Sequence, residues 1–175
     1  QNPADKGSPN FAIKAKLDAS LSDATFSDIE LTPADPQHAA NQLTGRMDIE
    51  FSDKLAMNAK FGALHYDLQD IKPTQAAQWL HYIPQSLYAD VQVTFGYLLM
   101  VGTALTEVDV KTRLRNGELS FSPAVATLPG QTNMRFQGSL LLNATTPQLQ
   151  GDISINTKAL RDFLGWLSPD WKFAL

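Results

Sequence analysis

Apolar and polar residues alternate along most of this chain with a period of two, most cleanly from Glu107 to Ile155. Val108, Val110, Thr112 and Leu114 take one side of an extended segment, and Glu107, Asp109, Lys111 and Arg113 take the other. Asn116-Gly117 follows, a dipeptide that readily adopts the positive φ angles of a two-residue hairpin. Leu119 and Phe121 resume the apolar side. After a Pro129-Gly130 turn it passes to Met134, Phe136, Leu140 and Leu142, opposite Asn133, Arg135, Gln137 and Ser139. Pro147 restarts the chain, and Leu149, Ile153 and Ile155 alternate with Gln150, Asp152 and Ser154. The pattern predicts four strands of an antiparallel meander with one apolar and one charged face.

The earlier half varies the theme. Phe11 to Leu21 alternates as a strand. A second strand, near Thr25 to Leu31, breaks phase between Phe26 and Ile29, which predicts a bulge. Thr32 to Asn41 is a loop; Arg46 to Phe51 and Lys54 to Ala63 form a hairpin around Ser52-Asp53, and Leu64 to Ile71 extends or bends its second strand. Then the period changes. Ala76, Trp79, Leu80 and Ile83 fall at i, i+3, i+4 and i+7 behind Pro73, which predicts a short amphipathic helix ended by Pro84. A long strand runs from Ala89 to Val101, with Val91, Val93, Phe95, Tyr97 and Leu99 on one side. Past the meander, Asn156 or Thr157 caps a second short helix whose Leu160, Phe163, Leu164 and Leu167 repeat the helical spacing.

Element order suggests two copies of one strands-then-helix unit. Leu43-Thr44-Gly45-Arg46-Met47 parallels Phe136-Gln137-Gly138-Ser139-Leu140, Gln78-Trp79-Leu80 parallels Gly165-Trp166-Leu167, and Phe26-Ser27-Asp28-Ile29 sits where Leu105-Thr106-Glu107-Val108 sits later. The expected organisation is a polar linker over 1–9, a first β-plus-helix repeat over 10–84 and a second over 85–175, in one continuous domain. The expected fold is mainly β: a strongly curved antiparallel sheet, in groove or half-barrel form, with two short amphipathic helices. The closing Trp171-Lys172-Phe173-Ala174-Leu175 alternates like the opening of another strand, so the chain reads as a piece of a longer protein.

Composition narrows the function more than the fold. A net charge of −4 and no clustered Lys and Arg argue against nucleic-acid binding. With no cysteine, disulfides, zinc-thiolate sites and cysteine nucleophiles are excluded. The longest strongly apolar run, Tyr97 to Val101, falls far short of the roughly 20 residues of a membrane-spanning helix. His38, His65 and His81 lack metal-ligand spacing. No serine sits in a nucleophile-elbow pattern, and the carboxylates mostly take the polar side of strands, so no catalytic pair stands out. The expectation is a noncatalytic protein without cofactor or metal.

The run Val108-Asp109-Val110-Lys111-Thr112-Arg113-Leu114-Arg115-Asn116-Gly117-Glu118-Leu119-Ser120-Phe121-Ser122-Pro123 resembles the recurring pattern of AsmA-like proteins: a strand, a glycine turn, and a strand ending near proline. The likeness continues through Pro129-Gly130, Arg135 to Leu140, Pro147 to Ile153 and the helix Leu160 to Leu167. It covers 89–167 well and 11–83 more loosely. The resemblance implies a Gram-negative envelope protein in the periplasm, anchored in the inner membrane by a helix outside this fragment. Its repeated β-structure would form a hydrophobic groove linked to phospholipid transport to, and integrity of, the outer membrane. Neighbouring β repeats of the same full-length protein would continue that groove.

A sheet with a continuous apolar face must close on itself, be covered, or hold something greasy. In the last case Val93, Phe95, Tyr97, Val110, Leu114, Leu119, Phe121, Met134, Phe136, Leu140 and Ile153 would face phospholipid acyl chains. The alternative is that the same residues fill the core of a closed β-sandwich, a scaffold or interaction module aiding outer-membrane protein assembly through its edge strands.

Overall fold

The computed structural model describes residues 11–33, 41–68, 86–100, 103–142 and 148–167. These form one sheet of nine strands, hydrogen-bonded in sequence order. The strands are β1 (Phe11–Ala19), β2 (Asp23–Pro33), β3 (Leu43–Phe51), β4 (Leu55–Asp67), β5 (Tyr88–Met100), β6 (Thr103–Arg115), β7 (Glu118–Leu128), β8 (Thr132–Leu141) and β9 (Gln148–Asn156). β1 and β9 do not pair with each other, so the sheet stays open. Among the described residues there is one helix, α1 (Leu160–Leu167), and no second sheet, so they do not form a closed sandwich. The expected linker over 1–9 and the helix expected from Ala76 to Ile83 lie outside the described residues.

Pairing is antiparallel with one exception, which corrects the antiparallel expectation. β4 and β5 run parallel, from Ala56 beside Tyr88 to Asp67 beside Leu99. A period-two pattern records which side each residue takes, not which way the neighbouring strand runs. Parallel neighbours require a connection that returns the length of the strand, and the chain makes that return between Asp67 and Tyr88.

Alternation slips by one residue where the backbone leaves the extended region. In β2, Phe26 pairs with Met47 and Ile29 with Gly45, two intervening residues against one, with Asp28 at φ 50°. This is the bulge that the phase break predicts. Glu107, at φ 53°, does the same in β6, so Leu105 and Val108 are both buried although three positions apart. In β7 the register shifts between Phe121 and Ala124 around Pro123, which has no N–H to give the ladder. At the Asn116-Gly117 hairpin both residues take positive φ, 52° and 76°, as the dipeptide predicts.

The largest buried cluster lies at one end of the sheet, beneath α1. Tyr66, Leu98, Leu105, Val108, Ala126 and Leu128 surround Phe163 there. Thr157 caps the helix, its Oγ1 accepting the Ala159 N–H at 3.3 Å. The Thr132 hydroxyl is fully buried, 2.8 Å from the Pro129 carbonyl and 2.8 Å from Thr157 Oγ1. Gly130, at φ 75°, lets the turn approach so closely that a Cβ there would lie 2.6 Å from the Ala159 carbonyl oxygen. At the other end of α1, Trp166 Nε1 donates to Thr103 Oγ1 at 2.7 Å. These two anchors set the helix rotation. Phe163, Leu164 and Trp166 face the sheet, whereas Leu160 and Leu167, expected on the buried stripe, are exposed.

Candidate functional site

Residues directly opposite each other on neighbouring strands share a face, so the register lets side chains be followed across the whole sheet. One row runs Ala19, Ala24, Ile49, Met57, Ala89, Leu114, Leu119, Leu140, Leu149, one residue from each strand. The next row on this face runs Leu17, Phe26, Met47, Ala59, Val91, Thr112, Phe121, Gly138, Gly151. Thr112 is its single polar side chain, and its hydroxyl turns to the Val91 carbonyl at 3.3 Å. The parallel step does not interrupt either row.

All the site residues expected from the sequence lie on this face except Tyr97. Leu114, Leu119, Leu140 and Phe121 belong to the two rows; Val93 pairs with Val110, Phe136 with Ile153, and Met134 with Ile155. Phe95 pairs with Val108 in the buried cluster. Tyr97 falls between Phe95 and Leu98, both of which pack in that cluster, and so projects the other way. Its ring stacks on exposed His65, centroids 4.8 Å apart. The signal for this reversal is local: Gly96 in β5 and Leu64–His65 in β4 lie at the same level, and all three are exposed. Leu17, Phe26, Met47 and Met57, from the first half of the chain and outside the expected set, continue the same rows.

Two aromatic rings on this face lie down on glycine. Gly45 pairs with Phe61, and a Cβ on it would meet the Phe61 ring at 2.5 Å. A Cβ on Gly138 or Gly151 would meet the Phe136 ring at 2.9 and 2.8 Å, and Phe136 makes an edge contact with Phe121 at 5.5 Å. Glycine at these positions leaves the space that the rings occupy.

Cover is uneven. In the middle of the sheet Ala59, Ala89 and Leu114 are 2–4% exposed, whereas Leu17 in β1 and Leu149 and Ile153 in β9 are 60–63% exposed. Among the described residues only α1 lies over this face, and only at one end.

The opposite face is charged. Its matching row runs Asp18, Thr25, Asp48, Asn58, Asp90, Arg113, Ser120, Ser139, Gln150. Hydrogen bonds from the Arg46 guanidinium and the Thr25 hydroxyl hold the Asp48 carboxyl below the usual carboxylate range. The Lys16 ammonium, 2.8 Å away, does the same for Asp28. Partial burial pushes Asp90 up, but hydrogen bonds from Arg113 and Arg115 outweigh it and the net shift is down. Two depressions of about 430 and 360 Å³ share Asn58 and Asp90 on this face. Among the described residues no three His, Asp or Glu side chains are grouped to hold a metal ion, and no helix is long and apolar enough to cross a membrane.

No family model matches the chain, and neither the curated proteins nor the solved structures contain a significant match to it.

Proposed function

We propose that this chain is a noncatalytic segment that shields lipid acyl chains on its apolar sheet face. Following the resemblance to AsmA-like proteins, it would work in the periplasm as part of a protein anchored in the inner membrane. There it would contribute to phospholipid transport to the outer membrane and to the integrity of that membrane. The sheet would curl into a groove, and neighbouring repeats would extend it from the edges of β1 and β9.

One observation carries the reading: two apolar rows cross all nine strands, and in the outer strands they stand open, Leu17 of β1 and Leu149 of β9 being 61% and 63% exposed. At a strand spacing of about 4.8 Å, nine strands span roughly 38 Å. That is more than twice the half-thickness of a membrane's ~30 Å hydrocarbon core, the room an acyl chain occupies. Each methylene removed from water contributes about 0.8 kcal/mol, so an acyl chain lying across the strands binds without a specific polar contact. The repeat reading gains support from the two bulges, since Asp28 and Glu107 stand at the positions the sequence comparison aligned.

The test is native mass spectrometry of the chain expressed in a bacterial periplasm, with an organic extract alongside. Near-stoichiometric phospholipid, displaced by added fatty acid, is the expected result. A clean apo mass from a cooperatively folded protein would instead favour the scaffold reading.

A further inference from the structure

We propose that the polar face carries a binding site for a neutral oligosaccharide, on the side of the sheet opposite α1. The register places His65, Tyr97, Thr106, Thr127, Asn133 and Asn156 in one row, one residue from each strand from β4 to β9. Other rows of this face are laced with charge. One holds Asp18, Asp48, Asp90 and Arg113, and the next holds Arg46, Lys60 and Lys111. The row at His65 has no carboxylate, lysine or arginine, and it opens on an aromatic pair.

A shared slip of the backbone assembles it. Leu64–His65, Gly96–Tyr97 and Thr106–Glu107 each put two successive residues on the polar side, between neighbours that pack in the buried cluster. Glu107 holds its carboxylate there at φ 53°, a conformation that favours glycine. Backbone strain of this kind collects at binding sites.

The side chains match the chemistry of a sugar. A pyranose presents C–H faces that pack on an aromatic ring, and hydroxyls that pair with amides, hydroxyls and carboxylates. His65 covers one face of the Tyr97 ring, centroids 4.8 Å apart, and the other face looks along the row to Thr106. Beyond it a depression of about 410 Å³ is lined by Glu107, Thr127, Asn133, Arg135, Ser154 and Asn156. The Thr127 hydroxyl donates to Glu107 Oε2 at 3.1 Å and steadies that carboxylate. Arg135, Ser154 and Asn156 make no side-chain hydrogen bond or ion pair among the described residues, so their donors and acceptors are open to a ligand. Glu107 and Arg135 offset each other, and the site selects neither a cation nor a phosphate. From Tyr97 to Asn156 the row crosses four strand spacings, about 19 Å, the reach of a short chain of sugars rather than one ring. The site lies on the face opposite the apolar rows and does not rest on what those rows hold.

The test is saturation-transfer nuclear magnetic resonance and isothermal titration of the full chain with two neutral probes, cellotetraose and chitotetraose. At least one is expected to bind at millimolar concentration or below, with saturation reaching its ring C–H protons. Raising the salt concentration should leave the affinity unchanged, because no net charge is paired. Tyr97→Ala and Asn156→Ala should each weaken binding several-fold, whereas Lys60→Ala, in the charged row, should not. Asn156 is exposed, so its variant decides the matter if Tyr97→Ala disturbs the circular dichroism. Failure of both probes to bind, undiminished binding in a folded Tyr97→Ala or Asn156→Ala, or an affinity that falls steeply with salt would each overturn the proposal.

Discussion

Asp28 and Glu107 hold the same left-handed backbone conformation, at φ 50° and 53°, and each is followed by a deeply buried β-branched residue, Ile29 or Val108. In both places one extra residue turns the strand so that the side chain after the bulge returns to the apolar face. An L-residue in this region carries a penalty of about 1–2 kcal/mol that glycine avoids. Glu107→Gly should therefore raise the urea midpoint, by up to about 1 kcal/mol of stability. Glu107→Val should lower it, because a β-branched residue fits this conformation worst.

The apolar face is predicted to tolerate charge very unevenly. Leu114 is 4% exposed and Ile153 60%. Leu114→Asp buries an unpaired charge at a cost of several kcal/mol and should abolish cooperative unfolding. Ile153→Asp should keep the far-ultraviolet circular dichroism and lose bound lipid. Loss of the fold in both variants would mean the whole face is core.

Much of this was legible from alternation alone. The strands from Phe11 to Ile155, the bulge after Phe26, the Asn116-Gly117 hairpin and the helix at Leu160–Leu167 all follow from side-chain period and turn chemistry. What the pattern does not carry is partner direction, so the parallel pairing of β4 and β5 was invisible. Nor does a two-residue period register slips that several strands make together. By period alone Tyr97 continues Val93 and Phe95, yet the slip at Gly96 turns it onto His65. The rotation of α1 was likewise set by distant partners, Thr103 for Trp166 and Gly130 for the helix start, which helical spacing cannot name.

Thr132 ties the β7–β8 turn to the start of α1. Thr132→Val keeps the shape but removes the hydroxyl that bonds the Pro129 carbonyl and meets Thr157 Oγ1. A loss of about 1–3 kcal/mol is expected. Amide exchange should quicken in α1 while β1 to β4 are unaffected.

Acid should weaken the sheet through its charged face. Asp28 and Asp48 have carboxyl groups held below their ordinary value by Lys16 and Arg46. A depressed folded-state value means the stabilisation is present above the unfolded value, about 3.9, and is lost as pH falls through the folded one. Urea midpoints should be level near pH 6 and fall below about pH 4. Asp48→Asn should lower the value near neutrality and narrow the gap between the two conditions.

The most direct test of the lipid-facing account compares two adjacent positions of one strand. Phe121 lies in the apolar row between Thr112 and Gly138, and Ser120 in the charged row between Arg113 and Ser139. A photoreactive phenylalanine analogue placed at each in turn, followed by irradiation in bacterial periplasm and mass spectrometry, reports what touches each face. The account predicts phospholipid adducts at position 121 and none at 120. Adducts at neither position, or at both equally, would contradict it.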